Sequence, residues 1–141
     1  MAVFLLKAEH GPSFVPDPCT GVFDDVPCSS PFAPWIERFW NEGLTLGCGG
    51  SNYCPDLGVT RSQMAVFLLK TMHGPGYEPP FCTGVFRDVP CPRAFAVNWI
   101  EELFREGVTS GCSSNPFAYC PDATVTRGQM AVFLAKAFAL H

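Results

Sequence analysis

Apolar residues come in three near-identical bursts: MAVFLLK at Met1–Lys7, the same seven letters at Met64–Lys70, and MAVFLAK at Met130–Lys136. Each burst is apolar nearly all round, which is the pattern of a helix buried among other elements. The predicted buried helices run over Met1–Ala8, Met64–Leu69 and Met130–Ala135. The first burst has no basic residue before it and meets Lys7 too early for a signal peptide, and such a peptide has no reason to recur twice within a chain. All three are therefore read as structural.

Between the bursts the pattern changes. Trp35, Ile36, Phe39 and Trp40 recur at helical spacing with Glu37, Arg38 and Asn41 between them, predicting an amphipathic outer helix over Ala33–Glu42 that Gly43 stops. Its counterpart places Trp99, Ile100, Leu103 and Phe104 on one face, Glu101, Glu102 and Arg105 on the other, and Gly107 at the stop. The second and third bursts also carry start signals. Thr60 with Gln63, and Thr126 with Gln129, have capping-box spacing: the threonine hydroxyl accepts from the N3 amide and the glutamine reaches back to the N-cap amide. Aligned on these features, most of the chain is one unit written twice, and the length differences fall in loops.

Composition narrows the setting. The 141 residues carry a formal charge of -4 with 16% charged residues, so there is no basic patch and no expectation of nucleic-acid binding. No apolar run approaches the roughly 18 residues of a membrane span. The eight cysteines, Cys19, Cys28, Cys48, Cys54, Cys82, Cys91, Cys112 and Cys120, form one four-position pattern twice over and lack the C-x-x-C spacing of a zinc or redox site. Disulfides between near neighbours (19/28, 48/54, 82/91, 112/120) are the preferred pairing among the many that eight cysteines allow. They point to an extracellular or cell-envelope location. With no export signal in view, the chain reads as a processed product or part of a longer exported precursor.

In order, and twice, the chain shows Phe-x-Asp-Val (Phe23–Val26, Phe86–Val89), a Trp-Ile helix, a Gly-(Leu/Val)-Thr-x-Gly turn, a Pro-Asp loop and Val-Thr-Arg-x-Gln-Met-Ala. This succession resembles the S-layer homology repeat. The resemblance implies a mainly α fold of tandem helix-loop-helix repeats packed around three buried helices, here with disulfide-stapled loops. Residues 1–10 would be the orphan core helix of an incomplete first repeat, and 11–73 and 74–141 two complete repeats, all in one domain. It also implies anchoring of exported proteins to acidic, pyruvylated wall polysaccharide. Where the family usually has Thr-Arg-Ala-Glu, this chain has Thr-Arg-Ser-Gln and Thr-Arg-Gly-Gln.

Arg61 and Arg127 are the candidate ligand-binding residues. A cation in the first helical turn opposes the helix dipole, typically by about 0.3–1 kcal/mol, so its repetition calls for a reason. One is a bound anion, held by helix-start amides and a guanidinium fork, and in the resembling family this arginine contacts the glycan. The other is an internal ion pair with Asp56, Asp122 or the aspartate of Phe-x-Asp-Val. Trp35 and Trp99 could stack on sugars but lie on a packing face, as does Trp40. Asp24, Asp25, Asp56, Asp88 and Asp122 raise calcium, yet no calcium-loop motif is present and caps explain them, so no metal or other cofactor is expected. His10 and His73 follow buried helices, where helix-end carbonyls account for them. No nucleophile motif is present and no catalytic residue is assigned.

The expectation is a non-catalytic extracellular structural or attachment protein whose partners are cell-wall polysaccharide, further copies of itself, or both. The alternatives are the subunit of a filament or tube that polymerises head to tail, and a carbohydrate-binding module of a larger exported enzyme.

Overall fold

A computed structural model describes residues 2–114 and 117–138 of the chain. Met1, which opens the first burst, and the end of the last repeat at Leu140 lie outside the described residues. The chain divides into two compact units, Met1–Leu57 and Gly58–His141.

In the first unit, helix α1 (Ala2–His10) packs against helix α2 (Ala33–Asn41). Leu5 and Leu6 from α1 and Ile36 and Phe39 from α2 are buried, together with Phe23, Val26 and Leu44 from the loops. Pro34 stands in the first turn of α2, where its missing amide breaks no intrahelical bond. At the other end Gly43 takes a φ of +75° and Leu44 N donates to Phe39 O at 3.1 Å, so the turn that a glycine permits satisfies a terminal carbonyl.

In the second unit, helix α3 (Arg61–His73) packs against helices α4 (Val97–Arg105) and α5 (Arg127–Phe138). Strands β1 (Ser113–Ser114) and β2 (Phe117–Ala118) pair antiparallel, Ser113 opposite Ala118. Met64, Leu68 and Leu69 of α3 and Ile100 and Leu103 of α4 are buried with Phe86, Val89, Val108 and Tyr119. Helix α4 ends as α2 does, with Gly107 at φ +77° and Val108 N donating to Leu103 O at 3.0 Å.

Four disulfides close short loops: Cys19–Cys28, Cys48–Cys54, Cys82–Cys91 and Cys112–Cys120, each six to nine residues apart in sequence. No cysteine is free among the described residues.

The expected fold class, a mainly α array of S-layer homology repeats packed around three buried helices, is overturned. The structure has five helices holding fewer than half of the described residues, a small two-stranded sheet and long loops held by disulfides. Helix α5, read as buried nearly all round, buries only Met130 and Phe133 and leaves Val132 51% exposed. The physical reason lies in the punctuation: 14 prolines and 13 glycines cut the chain into short helices, and the remaining backbone is organised by side chains and cross-links.

Candidate functional site

Helix α3 begins where two stretches of chain meet. Thr60 caps it, accepting from Gln63 N at 3.2 Å while Gln63 Oε1 accepts from Thr60 N at 3.0 Å. The next two amides are taken by the loop before α5: Arg61 N donates to Ala123 O (2.9 Å) and Ser62 N to Pro121 O (3.0 Å), and Ser62 Oγ donates to the same carbonyl. Val125 N donates to Val59 O at 2.8 Å, closing an antiparallel bridge between Thr60 and Thr124. A Cβ on Gly58 would lie 2.6 Å from Thr124 Cγ2, so this approach requires glycine on one side.

Arg61 is drawn into this junction and is only 4% exposed. Its Nε donates to Tyr119 O at 2.7 Å, and the Tyr119 hydroxyl donates back to Arg61 O at 2.8 Å. The guanidinium carbon lies 4.6 Å from the Tyr119 ring centroid and 5.3 Å from that of Phe133, within cation–π range. Among the described residues no carboxylate pairs with it, although a buried charge is costly to leave without a partner. Asp25 and Asp88, considered above as partners, are engaged elsewhere. Asp25 accepts from Tyr53 N and Cys54 N, which hold its carboxyl below the usual value, and Asp88 accepts from Tyr119 N and Cys120 N.

Arg61 also lines an open cleft of about 380 Å³. Thr109 and Ser110 line one side, the first turn of α5 at Gly128 and Gln129 another, and Lys136 adds a second cation. None of the lining residues is acidic. Two cationic residues, two hydroxyl residues and the first turn of α5 thus line one cleft that has no carboxylate in its wall, a composition suited to an anion.

Arg127 is not brought here. It is exposed, and its side chain has no hydrogen bond or ion pair among the described residues. Thr126 and Gln129 form their own reciprocal cap at 3.1 Å. Asp56 and Asp122 are exposed. Trp35 and Trp99 are half-buried, with Lys7 and Lys70 over their rings and Phe14 and Tyr77 at their edges. Trp40 is more exposed and meets Phe23 edge-on. His10 and His73 form equivalent pairs with Glu42 and Glu106 at 2.9 Å. Glu9, His10 and Glu42 place ligand atoms within 4.8 Å of one another, but His10 and Arg38 already engage both Glu42 oxygens.

Two carboxylates escaped the sequence reading. Glu37 and Glu101 look like outward positions on amphipathic helices, yet both are buried. Glu37 accepts from the amides of Thr20, Gly21 and Val22, and Glu101 from those of Thr83, Gly84 and Val85, each with the threonine hydroxyl added. Burial alone would raise both pKa values, but these hydrogen bonds outweigh it and hold the carboxyls below the ordinary range. The signal available was recurrence: Trp-Ile-Glu and Cys-Thr-Gly-Val come back together, with successive amides in need of an acceptor. Tyr119 and Lys136 were also missed, since their role depends on contacts distant in sequence.

No protein-family profile matches the chain, so the S-layer homology resemblance has no family match behind it. An endoglucanase of Bacillus sp. (strain KSM-635) is 28% identical over 116 residues, covering 82% of this chain and 12% of that protein. A cell surface protein of Thermoanaerobacter kivui is 28% identical over 123 residues, covering 84% of this chain and 15% of that protein. The chain thus spans less than a sixth of the length of either relative.

Proposed function

We propose that this chain is a non-catalytic extracellular attachment module that holds acidic surface polysaccharide in the Arg61 cleft. The observation that carries the reading is buried Arg61, which has no carboxylate partner among the described residues and lines a cleft with Lys136 and the α5 start. A uronate or ketal carboxylate would supply the missing anion through charge-assisted hydrogen bonds. Similarity to a cell surface protein and to a small part of an endoglucanase supports a place in a longer exported polypeptide, where the module serves attachment. The four disulfides support an oxidising, extracellular setting.

Isothermal titration with a polyuronate and with a neutral glucan of similar length tests the proposal. Arg61→Lys keeps the charge but loses the planar fork, including the Nε that donates to Tyr119 O, so thermal unfolding of the variant is read beside its binding. Loss of a charged hydrogen bond costs about 1.5–3 kcal/mol, so polyuronate affinity should fall roughly 10- to 100-fold. Lys136→Ala should weaken it less. Equal binding of the neutral glucan, or unchanged affinity in both variants, would refute the reading.

A further inference from the structure

One contact recurs where the helices of each copy end. His10, the last residue of α1, faces Glu42 at the C-cap of α2, with Nε2 2.9 Å from Oε1 and 3.0 Å from Oε2. His73, the last residue of α3, faces Glu106 at the C-cap of α4 at the same two distances. An aromatic ring steadies each imidazole: Phe14 stacks on His10 at 4.5 Å and Tyr77 on His73 at 4.4 Å. The copies differ at the position just before the histidine. The first has Glu9 there, and the second has Met72.

Glu9 turns the pair into a three-ligand cluster. Its Oε2 lies 3.6 Å from His10 Nε2, and one ligand atom from each of Glu9, His10 and Glu42 lies within 4.8 Å of the other two. Ligand atoms on a tetrahedral zinc ion, with bonds of about 2.0–2.2 Å, stand roughly 3.3–3.6 Å apart, close to the observed 2.9 and 3.6 Å. Three protein ligands suit zinc with a position left for water, and the imidazole favours such a borderline ion over calcium. All three residues stand at helix C-terminal ends, where partial negative charge attracts cations. Burial and the neighbouring Glu42 carboxylate raise the Glu9 pKa, so the cluster holds negative charge that a cation would relieve. Arg38 does not fill that role: its Nε donates to Glu42 Oε2 at 2.7 Å and leaves Oε1 to the imidazole, as an outer-shell partner orients a ligating carboxylate.

We infer that Glu9, His10 Nε2 and Glu42 bind one divalent cation of the zinc class, and that the His73–Glu106 pair of the second copy, with two ligands, does not. The cation takes the place of the proton between Nε2 and Glu42 Oε1 and ties the end of α1 to the end of α2. All three ligands belong to the first compact unit, and the site shares no residue with the Arg61 cleft.

Isothermal titration of the oxidised full chain with zinc chloride at neutral pH, after chelator treatment and dialysis, tests this with a reciprocal pair of variants. The unmodified chain should bind one equivalent, and calcium chloride should give no saturable signal. Glu9→Met, which copies the second unit, should bind none, and Met72→Glu, which copies the first, should bind two. His10→Gln removes the imidazole at similar size and should also bind none. Thermal unfolding in chelator checks that each variant is folded, and zinc should raise the midpoint of the unmodified chain but not that of Glu9→Met. An unmodified chain that binds no zinc, or binds two equivalents, would overturn the inference. So would one equivalent retained by Glu9→Met or His10→Gln, which places the metal elsewhere, or only one bound by Met72→Glu, which shows that the third carboxylate does not make the site.

Discussion

Replacing Glu101 by glutamine isolates one carboxylate oxygen at nearly constant shape. Glu101 is fully buried, with Oε1 accepting from Thr83 N at 2.7 Å and Oε2 from Gly84 N at 2.9 Å and Val85 N at 3.1 Å. Glutamine keeps one acceptor and turns the other into a donor, so either one amide or two adjacent amides face an N–H. An orphaned buried donor costs about 1–3 kcal/mol. Thr83 and Gly84 are exposed and water can reach them, which holds the whole loss to about that range instead of a multiple of it. The assay is urea unfolding with disulfides intact, followed by tryptophan fluorescence at pH 7 and at several acid values, with Glu78→Gln as an exposed control expected within about 0.5 kcal/mol. The sign with pH is fixed by the lowered pKa. The contribution of Glu101 is present above its unfolded value, near 4.5, and is lost as pH falls through the folded value below it. Glu37 and Asp25 act in the same direction, while Glu9, raised by burial and by Glu42, acts in the opposite one. The unmodified protein should therefore weaken on acidification, and the glutamine variant should weaken less. A loss under about 0.5 kcal/mol at pH 7, or identical acid limbs for the two proteins, would refute the argument.

Two further outcomes follow from backbone geometry and cross-linking. Gly111→Ala should destabilise by about 2 kcal/mol or more, because φ is +89° and the new methyl would lie 2.5 Å from Ala118 O and 3.0 Å from Phe86 Cε1; thermal unfolding reads this directly. Replacing Cys112 and Cys120 together by serine opens a loop of eight residues and should cost about 2–3 kcal/mol in thermal unfolding, with the denatured variant running slightly slower than the unmodified protein on a non-reducing gel.

Local chemistry was legible in the sequence, and distant chemistry was not. Thr60 and Gln63 declare a helix start because both partners in the cap lie within one turn. Glycines at 43 and 107 declare helix ends for the same reason, since a positive φ is a property of one residue. The tetrapeptides at Thr60 and Thr126 look alike, yet Arg61 is buried and Arg127 exposed, because the difference is made by Tyr119, 58 residues from Arg61. Helical periodicity placed Glu37 and Glu101 outside, as it must when it knows only the helix and not the loop folded over it. The same limit misled the fold class: an all-apolar burst implies cover on every side, while α5 has only part of its surface covered.

The order of the cysteines bears on how such a chain is made. Along the sequence the first joins the second, the third the fourth, the fifth the sixth and the seventh the eighth. A chain delivered N-terminus first meets each correct partner within nine residues, before the next pair has emerged. Short closures are also the ones that chain entropy opposes least. Every cross-link can therefore form in turn as the polypeptide arrives, with no thiol left waiting for a distant mate and little opportunity for scrambled isomers.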